Sequence, residues 1–311
     1  MANTYLLWLD WPEKCFRADD GDIAALRALV PRGSRIVRVH GEREFLRALP
    51  RATHAIVWNF RPEWFASALR LRLLATPAAG REFVPERGPD GVKIHFGRFH
   101  GPIIAESVAA FALAWSRGFF AVERHGGDWP RTWLSSRCRV LAGTKAVIAG
   151  YGNIGRAIGD KLETLGVEVS GITRSAVLSG GRCLPPGGRV VKRLLAAADW
   201  LVMALPSTTG TDGWLDAARI ALLSHRCVVI NVGRGNSVDE KALAAALKGG
   251  RLSGAYLDVR RHEPSATVLE TPGFVPGLSR LPNCVVMPHS SAFDGGYMRR
   301  CFLELKADGC L

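Results

Sequence analysis

Along the first hundred residues, short apolar runs alternate with stretches whose apolar side chains recur every three or four positions. "TYLLWLD", "SRIVRVH", "HAIVW" and "LRLLAT" are dense in large and β-branched apolar residues and predict strands. "DIAALRALV", "EREFLRAL" and the short "PEWFASAL" carry helical spacing. Strands alternating with helices imply a parallel sheet covered by helices, an α/β fold. Functional loops of such sheets lie at the carboxyl ends of strands, which puts "ATPAAG", residues 75–80, at a functional edge.

The pattern then changes. "IIAESVAAFALAWSR" is helical and apolar on nearly all sides, so it predicts a helix buried in a core or against a second subunit. "LAGTKAVIAGYGNIGRAIGDKLETLGVEVSGITRS" reads as strand, tight glycine turn, helix and strand, a complete βαβ unit. Further strands are expected at "WLVMAL", "CVVINV", "LSGAYLDV" and "CVVMP". Between them lies "DEKALAAALKGG", a helix with an acidic start and a glycine stop. Two α/β domains follow, the second over 102–290. The tail from 291 to 311 is expected to return as a helix to the first domain, residues 1–101. "HFGRFH" reads as a loop carrying a pair of histidines, His95 and His100.

Composition narrows the function. With 48% hydrophobic and 22% charged residues the chain reads as a globular protein. No apolar run reaches transmembrane length, and "MANTYLLWLDWPEK" lacks the basic start of a signal peptide, so no membrane partner is expected. Seven scattered cysteines without a CxxC pair predict reduced thiols in the cytoplasm and no metal site. The net charge of +13 comes from 33 arginines and 8 lysines spread along the chain. Without a concentrated basic stripe no nucleic-acid partner is expected, whereas an anionic small molecule would gain from the positive field.

"GYGNIG", Gly150 to Gly155, is a GxGxxG between a buried strand and a helix. Gly150 permits the tight turn, Gly152 lets a pyrophosphate approach the backbone, and Gly155 lets helix and strand pack closely. About twenty residues later, where a carboxylate would hold the ribose hydroxyls of NAD, stand Thr173, Arg174 and Ser175. A cation and two hydroxyls suit the 2′-phosphate of NADP. One charge-assisted hydrogen bond, roughly 1.5–3 kcal/mol, predicts about ten- to a hundredfold preference for NADPH, with NAD as the alternative cofactor.

Three more strand-end motifs complete the pattern: Arg234 in "VVINVGRGNSVDEKAL", Glu263 in "AYLDVRRHEP" and His289 in "LPNCVVMPHSSA". Together with "ATPAAG", "AESVAAFALAWSR" and "ALPSTTGTDGWL", their order and spacing resemble the D-isomer-specific 2-hydroxyacid dehydrogenase family over nearly the whole chain. The basic residue after the second strand is similar to the NADP-using glyoxylate and hydroxypyruvate reductase branch. The resemblance implies two doubly wound parallel-sheet domains, a Rossmann cofactor domain and a smaller flavodoxin-like substrate domain. It implies that Arg234 grips the carboxylate of a small 2-oxo or 2-hydroxy acid, that His289 exchanges the proton, and that Glu263 orients and charges His289. Backbone amides of Ala78, Ala79 and Gly80 would help hold the same carboxylate. Asn153, Ile154, Leu205, Pro206, Val232 and Gly233 would line the cofactor. Asp258 would meet the nicotinamide amide, with a structural strand-end carboxylate as the competing reading. A homodimer through the long apolar helix is expected, and no regulatory domain after the tail. Arg260 departs from the family, which often has phenylalanine there. The competing functions are a dinucleotide-sensing binding protein with incidental turnover and an NAD-linked dehydrogenase.

Overall fold

The computed structural model describes residues 3–126, 129–174, 183–184, 187–263, 275 and 277–311. The chain divides into two compact units, Met1–His100 with Phe293–Leu311, and Gly101–Ala292.

The first unit is built on β1 (Thr4–Trp8), α1 (Asp20–Leu29), β2 (Arg35–Arg38), α2 (Glu42–Ala48), β3 (His54–Val57), β4 (Leu73–Thr76) and β5 (Lys93–Phe96). All five strands are parallel, in the order β2-β1-β3-β4-β5. Leu6, Ala55, Val57 and Leu74 alternate onto one face of the sheet, where they pack against Phe45 and Leu49 of the α2 region and against Phe60 and Trp64. Two predicted pieces differ. "PEWFASAL" forms a 3-10 helix over Pro62–Ser67, with proline in its first turn and no side-chain cap. "HFGRFH" is no simple loop, because His95 lies in strand β5 and is buried. The strand escaped notice because its apolar run is short and its neighbours are polar.

The second unit begins in α3 (His100–Ser116), which starts on the buried His100, and continues through α4 (Phe119–His125) and α5 (Arg131–Ser135). There follow β6 (Lys145–Ala149), α6 (Asn153–Thr164), β7 (Glu168–Ile172), β8 (Cys183–Leu184), α7 (Gly188–Ala197), β9 (Trp200–Met203), α8 (Ala217–Leu222), β10 (Val228–Asn231), α9 (Glu240–Lys248), β11 (Gly254–Leu257) and β12 (Cys284–Val286). Their seven parallel strands run β12-β11-β10-β9-β6-β7-β8. Strand side chains divide between two cores as a period of two requires. Val147, Ala149, Leu201, Met203 and Val229 face α7, α8 and α9, whereas Ala146, Ile148, Val202, Val228 and Ile230 face α3 and α6. Burial on both faces explains why these strands read as unbroken apolar runs. The sheet reverses direction of growth between β6 and β9, and such switch points leave a crevice at the carboxyl ends of the strands.

The tail forms α10 (Tyr297–Ala307), which belongs to the first unit and packs against α1. Among the described residues no single helix is long and apolar enough to cross a membrane.

Candidate active site

The glycine turn lies at the switch point. Gly150 leaves β6 with φ 94°, and a Cβ there would fall 2.5 Å from the carbonyl oxygen of Ala204, just beyond β9. A Cβ on Gly155 would fall 2.2 Å from the carbonyl oxygen of Gly150, so only glycine lets α6 lie this close to the strand. Gly152 caps α6 with no side chain to satisfy the first-turn amides, and a Cβ there would meet nothing within 4 Å. Open space before the first-turn amides of a helix is what a pyrophosphate needs. The residues therefore fit a dinucleotide. Asn153 and Ile154 begin α6 behind this opening.

The neighbouring loops touch backbone to backbone. A Cβ on Gly233 would lie 2.6 Å from the amide nitrogen of Leu205, and Val232 donates its N–H to Met203 O at 3.0 Å. Thr211 Oγ1 donates to the carbonyl of Pro206 at 2.6 Å and tightens that turn. Thr173 donates its amide to Leu184 O, and Arg174 after it is exposed. Ser175 lies outside the described residues.

Arg234, Glu263 and His289 all belong to this unit. Glu263 Oε2 accepts from His289 Nδ1 at 3.0 Å, with both side chains roughly half exposed. A carboxylate only accepts, so Nδ1 carries the proton and Nε2 is the ring atom left for exchange. That hydrogen bond to Glu263 raises the His289 pKa above 6.5; burial opposes it, and the charges of Glu263 and Asp258 add to it. On Glu263 burial pushes the carboxyl up, but the bond and charge of His289, the Arg260 amide and the Arg234 charge together bring it below its ordinary value. Arg234 is thus close enough for both partners to feel its charge.

Two groups that the sequence reading missed hold Arg234. Ser237 Oγ and Asn231 Nδ2 donate to its carbonyl at 2.7 and 3.2 Å, and Asn231 Oδ1 accepts the Gly233 amide at 3.1 Å. A buried amide at a strand end and a serine three residues past the arginine were the available signals.

Two of the groups expected to bind ligands also make contacts within the chain. Asp258, read as a nicotinamide contact, is buried, and its carboxylate accepts the amides of Ser290 and Ser291 at 2.9–3.1 Å. Three successive N–H groups turn toward the end of β11, so Asp258 has a structural task there besides the nicotinamide contact expected of it. In the first unit, the Ala78 amide donates to Thr76 Oγ1 at 3.2 Å, which engages one of the three amides assigned to a carboxylate. Ala79 is exposed and Gly80 half-buried.

No metal cluster was foreseen, yet His95 Nε2, Glu304 and Asp308 place ligand-type atoms within 4.8 Å of one another. They are joined to one another and to Arg98 by hydrogen bonds. His95 bonds Asp308 Oδ2 at 2.9 Å, the Arg98 guanidinium pairs with the same carboxylate, and the Arg98 amide donates to both oxygens of Glu304. The acids stand more than two hundred residues after the histidine, at Asp308 |i−j| = 213, so proximity along the chain gave no hint of it.

A parallel sheet switching beside a glycine turn, with a carboxylate–imidazole pair at its carboxyl edge, defines a dinucleotide-dependent oxidoreductase. The D-isomer specific 2-hydroxyacid dehydrogenase, NAD binding domain, model matches residues 109–291, and the chain belongs to the D-isomer specific 2-hydroxyacid dehydrogenase family. It is 28% identical over 238 residues to the glyoxylate reductase of Thermococcus kodakarensis, covering 73% of this chain and 69% of that one. Against D-3-phosphoglycerate dehydrogenase 1 of Saccharomyces cerevisiae it is 30% identical over 193 residues, and the match spans 60% of this chain but 40% of the longer relative. Among solved structures, an NADPH-dependent glyoxylate/hydroxypyruvate reductase of Sinorhizobium meliloti in complex with NADP and sulfate superimposes with a TM-score of 0.74. That comparison is 25% identical and covers 98% of this chain and 93% of the other.

Proposed function

We propose that this chain reduces a small 2-oxo acid of the glyoxylate or hydroxypyruvate type to the D-2-hydroxy acid, using NADPH. The observation that carries the reading is the Glu263–His289 bond of 3.0 Å in the unit that holds the glycine turn. Gly150, Gly152, Asn153, Ile154 and Gly155 hold the dinucleotide's phosphates, while Leu205, Pro206, Val232 and Gly233 line it. Bound nicotinamide supplies the hydride. Arg234 grips the substrate carboxylate with a planar, permanently charged fork. His289 gives the proton on Nε2 to the carbonyl oxygen, and Glu263 fixes the ring and stabilises its charged form.

Exposed Arg174 at the end of β7, where NAD enzymes place an acid, supports NADPH. Seven free cysteines support a cytoplasmic setting. Exposed Leu113, Phe119, Trp129 and Val140 on and after α3 support a homodimer.

Oxidation of NADPH and NADH should be followed with a panel of 2-oxo acids. Turnover with glyoxylate or hydroxypyruvate is expected, about ten- to a hundredfold better with NADPH, and Arg174→Glu should erase that preference. A clear preference for NADH defeats the cofactor assignment. Tight cofactor binding without turnover on any 2-oxo acid would make the protein a dinucleotide sensor.

A further inference from the structure

Arg260 and Glu240 bury opposite charges at 7% and 5% exposure. Their planar groups meet fork to fork, Arg260 Nε to Glu240 Oε1 and Nη2 to Oε2, both at 2.9 Å. Desolvating two charges commonly costs as much as their attraction returns, so such a pair is a weak device for stability and calls for another reason. Its surroundings supply one. Glu240 opens α9, where the helix dipole favours an anion, and its Oε1 also accepts the Arg261 amide at 2.8 Å. Arg260 Nη2 further donates to Val275 O at 3.0 Å. The Arg260 amide then donates to Glu263 Oε1 at 3.3 Å, while Glu263 Oε2 holds His289. One carboxylate is thus stretched between the backbone of Arg260 and the imidazole.

The loop bearing Arg234 rests on the same backbone. A Cβ on Gly235 would lie 1.9 and 2.0 Å from the carbonyl carbon and oxygen of Arg260. The buried pair therefore adjoins both the loop that presents Arg234 and the turn that presents Glu263.

We propose that the Glu240–Arg260 ion pair is a positioning device, fixing the Arg260–Glu263 turn so that Glu263 bridges the Arg260 amide and the His289 ring. The inference rests on His289 as the proton-exchanging group. The charged groups acting on that ring are Glu263, Asp258 and Arg234; beside the buried pair stands one titratable group, the Cys284 thiol, and the neutral Arg261 amide bonds Glu240. Loosening the turn weakens the Glu263 bond, the first cause of the raised His289 value.

Three variants test this: Glu240→Gln, Arg260→Lys, and the apolar double replacement Glu240→Leu with Arg260→Met, an exchange that buried ion pairs often tolerate. Each is measured by thermal unfolding, by NMR titration of the His289 imidazole assigned with a His289→Gln sample, and by the pH profile of turnover. In folded Glu240→Gln and in the double variant, proton affinity at His289 should drop about three- to tenfold, and kcat should fall about tenfold with KM changed less than about twofold. Arg260→Lys keeps the charge and loses the fork, so it should fall between these and the parent. Folded variants with the parent titration and pH profile would overturn the proposal, leaving the pair structural. Failure of all three to fold would overturn it as well, by making the pair a requirement of the fold. The NMR arm needs no turnover. If the parent enzyme reduces no 2-oxo acid, the functional reading fails while this test still stands.

Discussion

His289 has φ 54°, the one positive value at a non-glycine position among the described residues. Left-handed backbone costs about 1–3 kcal/mol at most side-chain-bearing residues and persists where surroundings over-determine it. Here the His289 amide donates to Asp258 O at 2.8 Å, and the next two amides go to the Asp258 carboxylate. The turn points the ring at Glu263. The protonated ring is the form that gives up a proton during reduction, and its pKa is raised, so reductive turnover is full below that pKa and lost as pH rises through it. Glu263→Gln removes the raising partner. The alkaline limb of kcat/KM should then move toward lower pH, with about 10- to 100-fold less activity at neutral pH. An unmoved limb would remove Glu263 from the proton-transfer pair. Arg234, Glu263 and His289 could be singled out in the sequence because their motifs, in that order, resemble those of the family, and each residue type suits the chemistry the resemblance implies. That Asp258 also holds the His289 turn could not be read, since a string of letters does not say which amides a strand-end carboxylate meets.

At the scale of elements, the β6–turn–α6 unit was readable because its glycines answer backbone demands. Gly155→Ala would force a methyl group against a backbone oxygen 2.2 Å away, which no flexible side chain can relieve. A loss of about 1–3 kcal/mol in unfolding free energy is expected, as for other overpacked sites, together with weaker dinucleotide binding. Denaturant titration with and without NADPH measures both, and parental stability would mean that the helix can move off the strand. By contrast β5 went unseen, although its His95 is buried. An edge strand of four residues has too short a period to separate from a loop, and its inward side chain gains its place from α10, far along the chain.

For the molecule as a whole, α3 presents one face to its own core through Ile104, Ala105, Val108, Phe111 and Ala112, and leaves Glu106, Ala110 and Leu113 exposed. We expect a homodimer through this outer face. Leu113→Glu should weaken it about tenfold or more and shift the protein toward monomer in sedimentation or size-exclusion measurements with unchanged helix content. A parent protein that is monomeric at all concentrations would refute the interface.

By itself the chain determined the α/β alternation, the glycine turn and the residue types at the strand ends. Those features depend on local periodicity, backbone sterics and intrinsic side-chain chemistry, all of which act within a few residues. Only the tertiary structure decided that Asp258 clamps the His289 turn, that Ala78 gives its amide to Thr76, and that His95 joins Glu304 and Asp308. It also brought Glu240 of α9 beneath Arg260. The Ala78 contact spans only two residues and depends on how the chain turns after β4, whereas the others join residues 20 to 213 apart, which the crossover connections bring together.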